Sequence, residues 1–225
     1  MLKESITTEE VKIDIDVKPG VISGIFYIPK QMKALLVLAH GAGAGMTHPF
    51  MEGLAAHLAE HGIGTLRFNL PYMEAGKKAP GSPKDAMKGI EKAIATARDH
   101  YAETPIFVGG KSYGGRIASH LLAEETPKHV YGLIFYGFPL HAPGKSSTSR
   151  ADHLKNVQVP LLFLQGKKDK LADYTLIEKV VSGLDQSDLI AFEHADHSFK
   201  RPKKVSKQSL IPMLAEKTHD WIKKI

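Results

Sequence analysis

Short apolar blocks recur along this chain, and the stretches between them carry apolar residues three and four positions apart. Ala34–Ala39 (Ala-Leu-Leu-Val-Leu-Ala) is apolar without interruption, as a strand covered on both faces must be. Thr65–Leu70, Ile106–Val108, Gly132–Tyr136, Pro160–Leu164 and Leu189–Phe192 are the later strand candidates. Ahead of them Val11–Val17 alternates with period two, Pro19-Gly20 turns the chain, and Val21–Ile28 follows. That order predicts an antiparallel hairpin. Helical spacing predicts helices over Phe50–His61 (ended by Gly62), Lys84–Tyr101, Tyr113–Glu125, Asp173–Val181 and Ser206–Ile225. The last has Leu210, Met213, Leu214, Trp221 and Ile222 as its buried stripe. Strands and helices alternating in this way predict an α/β domain around a mostly parallel sheet.

Length fits that picture. The 225 residues suffice for one sizeable α/β domain, taken as residues 1–225. Two irregular stretches stand out, Pro71–Pro83 and Pro139–Arg150. Long loops in a compact domain are commonly functional or mobile. Neither has room for a lid of several helices.

Composition narrows the chemistry. There is no cysteine, which excludes disulfides, thiolate metal sites and a cysteine nucleophile. The formal charge is +6 and the basic residues are scattered, except for Lys200-Arg201 and Lys203-Lys204. Without an aromatic-interleaved basic motif, this reads as solubility and not specific nucleic-acid binding. No apolar run approaches the roughly 18 residues of a membrane helix. Met1–Ser5 lacks the apolar centre of a signal peptide, so the expectation is a cytoplasmic protein without a membrane partner.

The strongest chemical signal is Gly110-Lys111-Ser112-Tyr113-Gly114, a G-x-S-x-G pattern between a buried strand and a helix. That strand–turn–helix setting is what a nucleophile elbow needs. Gly110 and Gly114, with Gly109 and Gly115 beside them, let strand and helix approach closely. A helix N-terminus also favours a developing negative charge. A second segment, His40-Gly41-Ala42-Gly43-Ala44-Gly45, follows the buried strand directly. It is no P-loop, because Met46-Thr47-His48 replaces the Lys-Ser/Thr pair. Met46 also stands where a dinucleotide fingerprint needs its third glycine, so no cofactor is implied. The backbone N–H groups of Ala42 and Tyr113 are the expected oxyanion donors. His40 reads as a loop-positioning group. Asp169 closes a G-x-x-D turn after one strand, and His197 follows the end of the last strand. Both lie where open α/β sheets build their sites. The order Ser112, Asp169, His197 is that of α/β-hydrolases. The reading is Ser112 as nucleophile, His197 as base and Asp169 as the acid orienting it, with activity rising with pH as the imidazole becomes neutral.

From its first sheet strands to its last helix the chain resembles the α/β-hydrolase superfamily. Leu38–Gly45, Gly110–Arg116 and Ala195–Phe199 resemble a lidless, dienelactone-hydrolase-like group that includes testis-expressed and NSL-complex-subunit relatives. The resemblance implies a three-layer fold: a mostly parallel twisted sheet of about seven to eight strands, helices on both faces and no large lid. Position by position, it implies the same roles for Ser112, Asp169 and His197. It says little about substrate, and some relatives serve as complex subunits. Lys111 departs from the His, Asp or Glu common before the nucleophile of esterases. Dienelactone hydrolases proper use cysteine, so Ser112 puts that particular activity in doubt.

The expected partner is a small-molecule acyl substrate, with the oligomeric state left open. His48, Tyr72 and His141 are candidate pocket-wall residues. His57-Leu-Ala-Glu-His61 matches a zinc-peptidase pattern, H-x-x-E-H. A solvated helix end is the preferred reading, and no metal is assigned. Arg116, in the first turn of a helix, is expected to have an ion-pair partner in preference to a substrate carboxylate. Arg67 is also expected to have a structural partner. The rival function is a hydrolase-fold interaction module, with Lys200–Lys204 and the Pro139–Arg150 loop as contacts.

Overall fold

The computed structural model describes residues 6–225; Met1–Ser5, where the absence of a leader-like centre was read, lies outside the described residues. Eight strands form one sheet: β1 (Ile6–Asp14), β2 (Val21–Pro29), β3 (Ala34–Ala39), β4 (Ile63–Phe68), β5 (Ile106–Lys111), β6 (Val130–Tyr136), β7 (Leu161–Gly166) and β8 (Ser187–Phe192). The helices are α1 (Pro49–Ala59), α2 (Pro71–Glu74), α3 (Pro83–His100), α4 (Tyr113–Glu124), α5 (Tyr174–Ser182) and α6 (Ile211–Ile222). The strand order is β1-β2-β4-β3-β5-β6-β7-β8. β1 and β2 are antiparallel, as is the β2–β4 pair; every pairing from β4 to β8 is parallel.

Alternation within the strands separates two cores. On β3, Leu35 and Val37 face a cluster that includes Ile90 and Ile94 of α3, Ile117 of α4 and Ile177 of α5. Leu36 and Leu38 face the opposite cluster, with Leu54 and Leu58 of α1 and Leu214 and Trp221 of α6. Both sets are fully buried, which explains the unbroken apolar run. The result is the three-layer arrangement of the α/β-hydrolase fold.

Beyond shifts of a few residues at β4 to β8 and the short α2 inside the expected Pro71–Pro83 loop, three differences from the pattern reading stand out. β1 begins at Ile6 and ends at Asp14, where Val11–Val17 was expected. Thr7–Glu10 are exposed on this edge strand, so no apolar face announces them. Ile15 N bonds Gly20 O at 2.8 Å, which turns the chain before Val17. A 3-10 helix, Ser149–Asn156, overlaps the end of the expected Pro139–Arg150 loop. Finally, α6 begins at Ile211 and not Ser206, with Pro212 in its first turn, where a missing N–H is harmless.

Candidate active site

In the sheet order β4-β3-β5-β6, the connection from β3 runs one way and that from β5 runs the other. The crevice at such a reversal is where open α/β sheets place ligands. Ala39 of β3 pairs with Gly110 of β5. The segment after β3 and the turn after β5 therefore emerge side by side.

Ser112 occupies that turn with φ 51° and ψ −113°. For a residue bearing a Cβ this is a strained conformation. It tips the side chain out of both strand and helix: Ser112 sits at the N-cap of α4 yet makes no capping bond. Close crossing requires the glycines. A Cβ on Gly110 would strike the backbone of Gly114 and Gly115, and one on Gly114 would lie 2.6 Å from Ala39 O.

Ser112 Oγ lies 2.7 Å from His197 Nε2, and His197 Nδ1 lies 2.6 Å from Asp169 Oδ2. The three residues named from the sequence thus form one hydrogen-bonded row. The Asp169 carboxylate is 0% exposed and the imidazole 22%. The carboxylate is sealed while an edge of the imidazole stays open. Asp169 accepts further bonds from Gln165 Nε2 (2.6 Å) and Leu171 N (2.7 Å). Gln165 in turn accepts from Phe138 N at 2.9 Å. His197 rides on a tight turn in which Asp196 Oδ1 accepts from Ser198 N and Lys200 N, each at 2.8 Å. A Cβ on Gly166 would lie 2.7 Å from Asp196 O, so glycine at the end of β7 admits this turn.

The segment after β3 is fixed from the β4 side. Arg67 Nη1 donates to Met46 O at 2.8 Å, and Asn69 Oδ1 accepts from Met46 N at 3.1 Å. Arg67 also lies 3.9 Å from Glu52, so it has the structural partners expected of it. Asn69 Nδ2 donates to Glu74 Oε2 at 2.9 Å. Hydrogen bonds from Asn69 and Ser23 hold the Glu74 carboxyl below its usual range, outweighing a burial effect that pushes it up. His40 is buried; its Nε2 accepts from Leu70 N at 3.0 Å and its Nδ1 lies 2.8 Å from Gly41 O. Those partners assign the proton to Nδ1. Burial pushes the imidazole down to about 4, so His40 stays neutral and holds the loop. Among the described residues, the backbone N–H groups of Ala42 and Tyr113 donate to no other protein atom.

Residues 32–223 match a family described as an alpha/beta hydrolase domain. The chain belongs to that hydrolase family. A proline iminopeptidase from Thermoplasma volcanium is 34% identical over 106 residues, which are 47% of this chain. The match spans only about a third of that relative's length, 35%. Among solved structures, a dienelactone hydrolase from Anabaena variabilis superposes with a TM-score of 0.76 at 18% identity, covering 97% of this chain and 98% of that one. A serine hydrolase without lid from Xanthomonas campestris gives 0.72 at 19% identity, with 98% and 96% covered. Est1E from Butyrivibrio proteoclasticus gives 0.73 at 15%, with 96% and 98% covered. At these identities the likeness is one of fold.

In this hydrolase the remaining named residues have mixed fates. Tyr72 is buried, with its ring edge-on to His40 (5.9 Å) and to Tyr113 (6.3 Å). His48 is an exposed helix cap whose Nδ1 accepts from Phe50 N at 3.2 Å. His141 Nε2 accepts from Asp173 N at 2.8 Å and its Nδ1 lies 2.9 Å from Ala142 O. Both its nitrogens are thereby spent on backbone, and it ties the Pro139–Arg150 loop to the turn after Asp169. The ion pair expected for Arg116 is not formed: among the described residues no carboxylate lies within 4.0 Å. Arg116 instead lies 5.8 Å from the Tyr113 ring centroid. Burial and the nearby Arg150 push its pKa down. The H-x-x-E-H pair does not share one helix face, because α1 stops at Ala59. His57 pairs with Glu60 at 3.0 Å, while His61 stacks on His219 at 5.0 Å.

Sequence reasoning passed over Gln165 as a functional side chain. Its signal was a glutamine inside an otherwise apolar strand, Leu161–Leu164 followed by Gln165. A fully buried amide demands partners, and here they are Asp169 and Phe138 N.

Proposed function

We propose that this chain is a serine hydrolase that cleaves small soluble esters by acyl transfer. The supporting observation is the row Ser112 Oγ, His197 Nε2 at 2.7 Å, then His197 Nδ1, Asp169 Oδ2 at 2.6 Å. Neutral His197 takes the Ser112 proton as Oγ bonds to the substrate carbonyl carbon. The carbonyl π electrons move to oxygen, where the N–H groups of Ala42 and Tyr113 receive the negative charge. Collapse expels the alcohol, which leaves with the proton from His197. Water repeats the sequence on the acyl-enzyme and frees the acid. Asp169 keeps the Nδ1 proton in place and stabilises the imidazolium; Gln165 and Leu171 N fix the carboxylate.

Short acyl chains are favoured because little covers the crevice. Between β4 and β7 the segments beyond the strand ends carry only the four-residue α2 and the 3-10 helix in addition to the sheet-packed α3 and α4. The lidless serine hydrolase named above agrees with this reading.

Labelling with a fluorophosphonate tests the chemistry: covalent attachment to the folded protein, lost in Ser112→Ala, is the expected result. Absence of labelling in folded wild type would favour an interaction module. A series of p-nitrophenyl esters should show kcat/KM falling as the acyl chain lengthens; preference for long chains would overturn the short-substrate assignment.

A further inference from the structure

Lys111, beside the proposed nucleophile, is half-buried and turned towards the His197 main chain. Its Nζ donates to the backbone carbonyl of His197 at 2.7 Å. The ammonium lies 6.0 Å from the Phe50 ring centroid and 5.7 Å from that of Phe199. Those rings stack on each other at 6.2 Å. Gly137, at φ 77°, leaves the space: a Cβ there would lie 3.3 Å from Lys111 Nζ and 3.4 Å from His197 O. A half-buried cation set beside a pair of stacked aromatic rings and onto one carbonyl is an unusual choice, since an apolar side chain would fill the space without desolvating a charge. The carbonyl it grips belongs to the residue whose imidazole faces Ser112.

We propose that Lys111 is a positioning residue: from the end of β5 it clamps the His197 main chain, and so holds the imidazole against the hydroxyl of the next residue in sequence. This rests on the serine-hydrolase reading. The clamp links nucleophile and base through the backbone of each, independently of Asp169. A charge-assisted bond to a carbonyl is stronger than a neutral one. Burial pushes the Lys111 amine down to about 8, while the carboxylates of Asp169 and Asp196 pull it back up. At neutral pH it is therefore an ammonium. With His197, those two carboxylates are the titratable groups around it.

Kinetics of Lys111→Met and Lys111→Gln on p-nitrophenyl acetate test the clamp. Misplacement of a reacting group by about 1 Å can cost roughly 10²-fold. Lys111→Met should lose about 10- to 100-fold in kcat with KM within about twofold. Lys111→Gln, which keeps an N–H donor, should recover part of it. Thermal unfolding of Lys111→Met should occur at or above the wild-type temperature. The proton NMR signal of His197 Nδ1–H should broaden in Lys111→Met and sharpen again in Lys111→Gln. Wild-type kcat in Lys111→Met would overturn the proposal. So would equal losses in both variants accompanied by lowered melting. Failure of wild type to react with a fluorophosphonate would instead sink the serine-hydrolase reading, and the imidazole signal would still report on the clamp.

Discussion

The two flanks of Ser112 differ in what their key contacts hold. On the β7–β8 flank, side chain grips side chain: Gln165 holds Asp169, and Asp169 holds His197. On the β3–β4 flank, the contacts that fix the loop after β3 are from side chain to backbone: Arg67 and Asn69 hold Met46, and His40 bridges Leu70 N to Gly41 O. In the proposed reaction one flank moves a proton, which calls for groups of defined ionisation. The other must present N–H donors, so its side chains act only by shaping the chain. Chemistry is concentrated on the first flank and geometry on the second.

Removing the chemistry should therefore hurt most. Ser112→Ala and His197→Ala should each lower kcat by roughly 10⁵–10⁶, read by steady-state hydrolysis after removal of contaminating esterase. Loss below about tenfold would show that neither group reacts. Asp169→Asn, which keeps the shape and loses the charge, should cost about 10⁴. Next comes Gln165→Leu. It strips one bond from a buried carboxylate and leaves Phe138 N unpaired, and hydrogen bonds to charged groups are worth about 1.5–3 kcal/mol. The expected fall is about 10- to 100-fold in kcat. Arg67→Met, on the opposite flank, should cost about tenfold, because the loop keeps its Asn69 and His40 anchors. If Arg67→Met proves more damaging than Gln165→Leu, the contrast between the flanks is wrong.

The smallest effect concerns stability. His40 titrates near 6.5 when unfolded and at about 4 when folded. Between those values the unfolded chain binds the extra proton, so stability falls as pH drops from about 6.5 towards 4. The share due to this fully buried group is at most on the order of 3 kcal/mol. Urea unfolding at pH 7 and pH 4.5 should show the loss. His40→Asn, whose amide can both donate and accept, should flatten it. An unchanged slope in His40→Asn would mean that His40 does not carry the effect.

What the sequence disclosed, and what it hid, follows from burial. β3 and the turn at Ser112 were legible because both faces of the strand are covered and the glycines have no steric alternative. That Asp169 and His197 would lie beside the Ser112 turn was legible from their places after strand ends. β1 was half hidden because its exposed edge carries Thr7, Thr8, Glu9 and Glu10, which obey no apolar period. The 3-10 helix Ser149–Asn156 was missed because only Ala151 and Leu154 are buried there. Arg116 misled, since a cation at the start of a helix suggested a carboxylate where the fold supplies the Tyr113 ring. Lys111 was visible as an oddity, but its partner is a main-chain oxygen, and no sequence pattern encodes an acceptor that every residue possesses.

The left-handed backbone at Ser112 sets durability against activity. Glycine tolerates φ 51° without penalty, whereas a residue with a Cβ is destabilised there by about 1–3 kcal/mol. Ser112→Gly should therefore outlast the parent on heating while losing its turnover. At this position a sturdier molecule and a working one cannot be the same molecule.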